Sequence, residues 1–143
     1  MTASTSLPSS VEPRTAVLDG LPRLSYRDRR HAIPSSERPE PGRYLELEDG
    51  DERVLLPLAP GTTHVGRSFA ADVRLEDQSV SRRHAILHHR PGGSRILDDR
   101  SANGTFVNGR RVTEADLRDG DVIVVGETVL VYLERGDGAA QVE

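Results

Sequence analysis

A chain of 143 residues with 35% hydrophobic and only 3% aromatic content has room for one ordinary domain, whose core must be built from Val, Leu and Ile. The absence of cysteine excludes a disulfide framework, a thiol nucleophile and a cysteine-based zinc site. A net charge of −4 argues against general binding to nucleic acid or an anionic membrane, yet all 19 basic residues are arginine, whose planar fork suits phosphate and carboxylate.

The first ten residues, MTASTSLPSS, carry neither the basic start nor the apolar stretch of a secretory signal. Apolar runs such as Val122–Val125 and Val129–Leu133 fall far short of the ~20 residues of a membrane span. These features predict a soluble, cytoplasmic chain without membrane insertion. Residues 1–42 hold six of the nine prolines and seven serines, with few aliphatic side chains to offset the entropy of ordering them. They read as a flexible tail in which only Leu21–Ile33 has local helix potential. The tail carries six arginines against five acidic residues, leaving 13 against 18 in the remainder. Anion binding by the remainder therefore needs a local arginine cluster.

From Arg43 the signals are those of strands, and residues 43–136 are predicted to form the domain, with 137–143 a disordered end. In YLELE, Leu45 and Leu47 alternate with Glu46 and Glu48. RVLLPL, TTHV, DVRL, HAILHH, SRILD, TFV, RRV, DVIVV and TVLVYLE follow, each short and bounded by Gly, Pro, Asn or Asp. About ten such strands without a convincing helix predict an all-β sandwich. The continuous run Val122–Val125 suits a strand covered on both faces or lying at a sheet edge. Gly126-Glu127 places glycine first, as a type II′ hairpin turn prefers.

The segment SANGTFVNGRR uses Asn-Gly twice. Asn108-Gly109 sits between TFV and RRV with two residues to spare, the pattern of a type I′ turn whose central residues both need positive φ. Asn103-Gly104 instead lies in a polar loop leading into Thr105, where an asparagine offers both donor and acceptor to an extended backbone. Two further loops carry phosphate-compatible groups at strand ends: Gly66-Arg67 in HVGRS, and Ser81-Arg82 with His84 in VSRRHA. Loops gathered at one end of a sandwich commonly bind ligands.

In that order and spacing, Gly66-Arg67, Ser81-Arg82-x-His84 and Ser101-x-Asn103-Gly104-Thr105-x-x-Asn108-Gly109 resemble the signature of the forkhead-associated (FHA) domain. LRDGDVIVVG is similar to that family's closing segment, so the resemblance covers roughly residues 43–135, and the tail is similar to that of small bacterial members. It implies an eleven-stranded β-sandwich of FHA/SMAD-like type that binds phosphothreonine peptides through its apical loops, with no cofactor and no catalysis. Carried over by motif, Arg67 and Ser81 hold the phosphate, Arg82 supports it or the peptide, and Asn103 bonds the peptide main chain. Gly66, His84, Gly104, Thr105, Asn108 and Gly109 support the site. Ala102 departs from members with a polar residue there, which removes a side-chain contact but leaves the backbone groups. Partners would be phosphothreonine proteins, such as a Ser/Thr kinase or its substrate.

A phosphothreonine carries about −1.5 to −2 charges and three acceptor oxygens. Three charge-assisted bonds of about 1.5–3 kcal/mol each, less ordering costs, correspond to roughly micromolar affinity. Thr15, with Leu18 three residues on, is the candidate phosphorylation site through which the tail would occupy its own domain; an inert tether is equally compatible. Three rivals remain in view. A hydrolase would use Ser81, His84 and Asp98, although no Gly-x-Ser-x-Gly elbow surrounds Ser81. A metal site would use His84 and His88, although their i, i+4 spacing falls on a strand and His88 and His89 should face opposite ways. A phosphate-independent scaffold would dock a partner on a sheet face. Arg110 and Arg111 read as a solvated hairpin.

Overall fold

A computed structural model describes Asp28 and residues 31–136. Thr15 and most of the Leu21–Ile33 stretch lie outside the described residues, as does the 137–143 end. Two sheets stack face to face. One contains β1 (Ile33–Pro34), β2 (Gly42–Asp49), β3 (Glu52–Leu58), β8 (Thr105–Val107), β9 (Arg110–Val112), β11 (Val122–Val125) and β12 (Thr128–Arg135), in the order β1-β3-β2-β12-β11-β8-β9. The other contains β4 (Gly61–Gly66), β5 (Val73–Arg74), β6 (Ala85–Arg90), β7 (Gly93–Asp98) and β10 (Glu114–Leu117), in the order β10-β7-β6-β4-β5. The pairings are antiparallel except β4 with β5. The chain is thus the expected all-β sandwich, with β1 and β5 contributing only two residues each.

Period-two alternation builds the core. Leu45, Leu47, Leu56, Ile123, Val125, Leu130 and Tyr132 of the seven-stranded sheet meet Val65, Val73, Leu87 and Ile96 of the other in one buried cluster. Glu46 and Glu48 point away, as the alternation predicts. The two sheets are also joined by a polar chain, in which the buried Tyr132 hydroxyl contacts Ser94 Oγ at 2.7 Å and Ser94 Oγ contacts His89 Nδ1 at 2.9 Å. Burial and the bond to Glu134 push the Tyr132 hydroxyl up to about 12.

Three local features differ from the sequence reading. Val122–Val125 is neither doubly covered nor an edge: β11 runs between β12 and β8, with Ile123 and Val125 inward and Val122 37% exposed. β10, which the strand reading passed over, has the charged sequence EADL and pairs with β7 as an edge strand. Arg95 of β7 bridges it through Asp116 at 3.0 Å and Glu114 at 3.1 Å. Upstream of Arg43, β1 pairs with Leu55 and Val54, and Ile33 packs on an outer cluster of Tyr44, Leu55 and Leu133. Asp28 is buried, its carboxylate accepting from the Arg74 amide at 2.6 Å. No helix among the described residues is long and apolar enough to cross a membrane.

Candidate functional site

The strand order β7-β6-β4 stands three loops side by side at one end of the sandwich. The loop after β4 begins at Gly66, the loop before β6 carries Ser81 to His84, and the loop after β7 carries Ser101 to Gly104. Gly66 lets the first two touch. A Cβ there would lie 2.1 Å from the Arg82 carbonyl oxygen, and the close approach permits Arg67 N–H to donate to Ser81 O and Ser68 N–H to Arg82 O.

His84 joins the second loop to the third. Its ring is fully buried, Nδ1 accepts the Ser81 amide at 3.0 Å, and Nε2 therefore carries the proton and donates to Gly104 O at 2.9 Å. The Ser81 hydroxyl accepts the Ala102 amide at 2.9 Å, which leaves its hydrogen to donate outward. Asn103 donates from Nδ2 to Ser79 O at 2.8 Å and stands exposed beside it. Beneath this loop Asp98 receives Ser101 Oγ at 2.5 Å, Thr105 Oγ1 at 2.7 Å and the Ser101 amide. Burial alone would raise the Asp98 carboxyl, but these donors outweigh it and hold the group below the usual carboxylate range.

The two Asn-Gly pairs separate cleanly. Asn108 and Gly109 have φ of 51° and 82°, and Val107 pairs with Arg110, which is the type I′ hairpin the sequence predicts. Asn108 also braces β11, accepting the Val122 amide at 2.9 Å and donating to Asp121 at 3.0 Å. Gly104 has φ of 90°, and a Cβ there would meet Arg111 Nε at 2.8 Å. The Arg111 side chain therefore passes close to the site loop while staying exposed, in keeping with a solvated hairpin. Gly126, with φ of 61°, opens the tight turn between β11 and β12 as predicted, and its neighbour Glu127 donates its amide to Ser79 Oγ at 2.7 Å.

Arg67 and Arg82 line one cleft of about 380 Å³ together with Ser68, Phe69, Arg74 and Glu76. Arg67 Nε is fixed to Val80 O at 2.8 Å, which aims its terminal nitrogens without consuming them. Arg82 is exposed and has no side-chain partner among the described residues, whereas Arg83 is paired with Asp99 at 3.1 Å. A larger cleft, about 640 Å³, lies at the other pole beside Arg95, Asp116, Asp119 and Glu134. Arg95 there is already bridged to Glu114 and Asp116, and Asp116, Asp119 and Glu134 set three carboxylates beside Arg90 and Arg118, so the smaller cleft offers the better anion chemistry. Phe69 and Arg74 were not singled out from sequence; the one signal was a phenylalanine, scarce in this chain, two residues after Arg67.

The rival constellations do not assemble. Ser81 meets His84 through its amide and not its hydroxyl, and the Asp98 carboxylate is taken up by Ser101 and Thr105. His88 contacts Thr62 on the outer side while His89 is buried against Thr63 and Ser94, and no cluster of three or more metal-ligating residues occurs among the described residues.

Residues 63–126 match the family model of the FHA domain. The chain is 47% identical over 82 residues to the ABC transporter ATP-binding/permease protein Rv1747 of Mycobacterium tuberculosis, covering 57% of this chain and 10% of that one. It is 42% identical over 72 residues to the glycogen accumulation regulator GarA of Mycolicibacterium smegmatis, covering 50% and 46%. The chain thus spans from a tenth to about half the length of such curated relatives. A solved structure from work on phosphothreonine-dependent FHA domain interactions matches with a TM-score of 0.61 and 36% identity over 65% of this chain and 96% of that one. The FhaA FHA domain, solved with the intracellular domain of Rv3910, matches with a TM-score of 0.59 and 37% identity over 64% and 99%. The sandwich, the three apical loops and these matches make the chain a member of the FHA-domain family.

Proposed function

We propose that this chain binds phosphothreonine peptides and works as an adaptor or regulator in Ser/Thr kinase signalling, holding its ligand without transforming it. The observation that carries the reading is one loop cluster holding two arginines whose terminal nitrogens have no partner among the described residues and a serine hydroxyl left free to donate. In a domain of net negative charge, that local concentration of donors fits a small, highly charged anion. Arg67, Ser81 and Arg82 are assigned to the phosphate, and Asn103 to the peptide backbone. Gly66, His84, Gly104, Thr105, Asn108 and Gly109 are assigned to support. The relative solved for its phosphothreonine-dependent interactions makes the same ligand class the natural one here.

Fluorescence polarisation against a degenerate phosphothreonine library tests this. Phosphorylated peptides should bind at roughly micromolar Kd and their unphosphorylated forms should not. Arg67→Ala should weaken binding by about 100-fold or more while the domain stays folded. Absence of phosphate-dependent binding throughout the library would overturn the proposal.

The tail is proposed to regulate this site through phosphorylation at Thr15. Support comes from the anchorage of Asp28 on Arg74, a residue that lines the same cleft. Thr15 lies thirteen positions before that anchor, a separation that an unstructured segment would span with a root-mean-square reach of about 20 Å. Phosphorylating Thr15 should reduce binding of added peptide, and unchanged affinity would remove the regulatory role. The scaffold reading keeps one specific support: the pairs Val122–Val131 and Val124–Val129 form an apolar stripe on the outer sheet face, with Val129 51% exposed.

A further inference from the structure

The chain contains two phenylalanines, and Phe69 stands 77% exposed in the loop after β4. The ring is not left to move. The Arg74 guanidinium lies 3.9 Å from its centroid. That guanidinium is itself fixed, with Nε donating to Arg67 O at 3.1 Å and a terminal nitrogen to Glu76 at 3.2 Å. The Arg74 amide is held in turn by Asp28. A large aromatic surface beside the phosphate cleft is therefore already ordered, so covering it with ligand costs little further entropy.

Strand order fixes which side of the ligand meets this surface. β6 lies between β4 and β7, so the Phe69 loop and the Asn103 loop stand on opposite sides of Ser81. A peptide anchored at Arg67 and Ser81 and held by Asn103 on one flank presents its other flank to Phe69. We propose that Phe69 is a specificity-determining residue that takes an aliphatic or aromatic side chain within two residues of the phosphothreonine, on the flank away from Asn103. This rests on the phosphothreonine reading of the site. Two residues of extended peptide advance about 7 Å, which matches the scale of a 380 Å³ cleft. An apolar partner fits better than an acidic one, because the Arg74 charge is already balanced by Glu76 and shielded by the ring it covers.

The test is a positional scan of phosphothreonine peptides against the full chain and its Phe69→Ala, Phe69→Leu and Arg67→Ala variants. The intact protein should favour Leu, Ile, Phe or Tyr over Ala at one position of that flank by about five- to tenfold. Phe69→Ala should abolish the preference between the apolar and Ala-substituted peptides, and Phe69→Leu should keep part of it. Arg67→Ala should weaken every phosphopeptide alike. A flank preference that survives Phe69→Ala, or no such preference in a chain that binds phosphothreonine, would overturn the role of Phe69 alone. A chain that binds no phosphothreonine peptide would overturn both readings.

Discussion

Replacing Gly66 by alanine probes the contact on which the phosphate site is built. Gly66 does not have a left-handed backbone, so alanine brings no conformational strain and its cost is steric. The added Cβ would lie 2.1 Å from the Arg82 carbonyl oxygen and 3.1 Å from that of Ser81. Both neighbours are backbone, so the loop must retreat by about 1.3 Å to reach ordinary contact at 3.4 Å. That movement breaks or stretches the Arg67-to-Ser81 and Ser68-to-Arg82 backbone bonds, 3.0 and 3.1 Å long. Two lost bonds at about 1 kcal/mol each, with overpacking of about 1–3 kcal/mol, give a destabilisation of about 3–5 kcal/mol. For a domain of this size the midpoint of unfolding should fall by roughly 15–20 °C. Phosphopeptide affinity should fall by at least about tenfold, because Arg67 and Ser81 move apart. Gly109→Ala is the control: φ is 82° but nothing lies within 4 Å of the added carbon. It should cost only about 1–2 kcal/mol of backbone strain and leave binding intact. Thermal melting and fluorescence polarisation on both variants decide the matter. A Gly66→Ala protein that melts no lower than Gly109→Ala and binds normally would refute the steric argument.

The two asparagines should separate binding from stability. Asn103→Ala loses one exposed bond and should lower stability by less than about 1 kcal/mol while weakening phosphopeptide binding tenfold or more. Asn108→Ala loses two bonds and a favoured left-handed residue, and should cost about 2–4 kcal/mol with little effect on binding; the reverse pattern would reverse the assignments. Burial, then the charges of Arg43 and His88, hold His89 below its ordinary value near 6.5. The unfolded chain then binds the proton more readily, so stability is full above pH 6.5 and falls as pH drops through and below it. His89→Gln should flatten the melting curve between pH 7 and 5, and an unchanged acid slope would discount His89. Asp98 has the same sign at lower pH: its stabilisation is present above the ordinary carboxylate value and lost as pH falls through its depressed one. The deficit of Asp98→Asn at pH 7 should therefore shrink below pH 4, as chemical denaturation can measure.

What could be read without coordinates was what neighbours in the chain decide. Asn108-Gly109 and Gly126-Glu127 are local choices of φ, and both turns appear where their residues demand them. Leu45 and Leu47 face inward because a strand alternates. β10 escaped because EADL has no β-branched residue; its place depends on Arg95, some twenty positions earlier, drawing Glu114 and Asp116 to the edge of β7. The run Val122–Val125 misled because local apolarity does not say how many faces are covered. The phosphate residues were legible only as a spaced set, since each loop alone has an ordinary turn explanation. Asp28 under Arg74 and Arg111 across Gly104 gave no local signal, because both contacts are made by the fold and not by sequence neighbours.

The buried ring of His84 acts as a ruler. Its two nitrogens sit at a covalently fixed separation, one holding the Ser81 amide and the other the Gly104 carbonyl. The distance between the hydroxyl assigned to the phosphate and the amide of Asn103 next to Gly104 is thus gauged by an aromatic ring instead of by pliable loop backbone. A ligand arriving at these loops finds their spacing already set, and must supply a phosphate and a main chain separated to match. Tuning for a new partner should therefore fall on side chains at the rim, Phe69 and Arg111 among them, while the gauge beneath stays as it is.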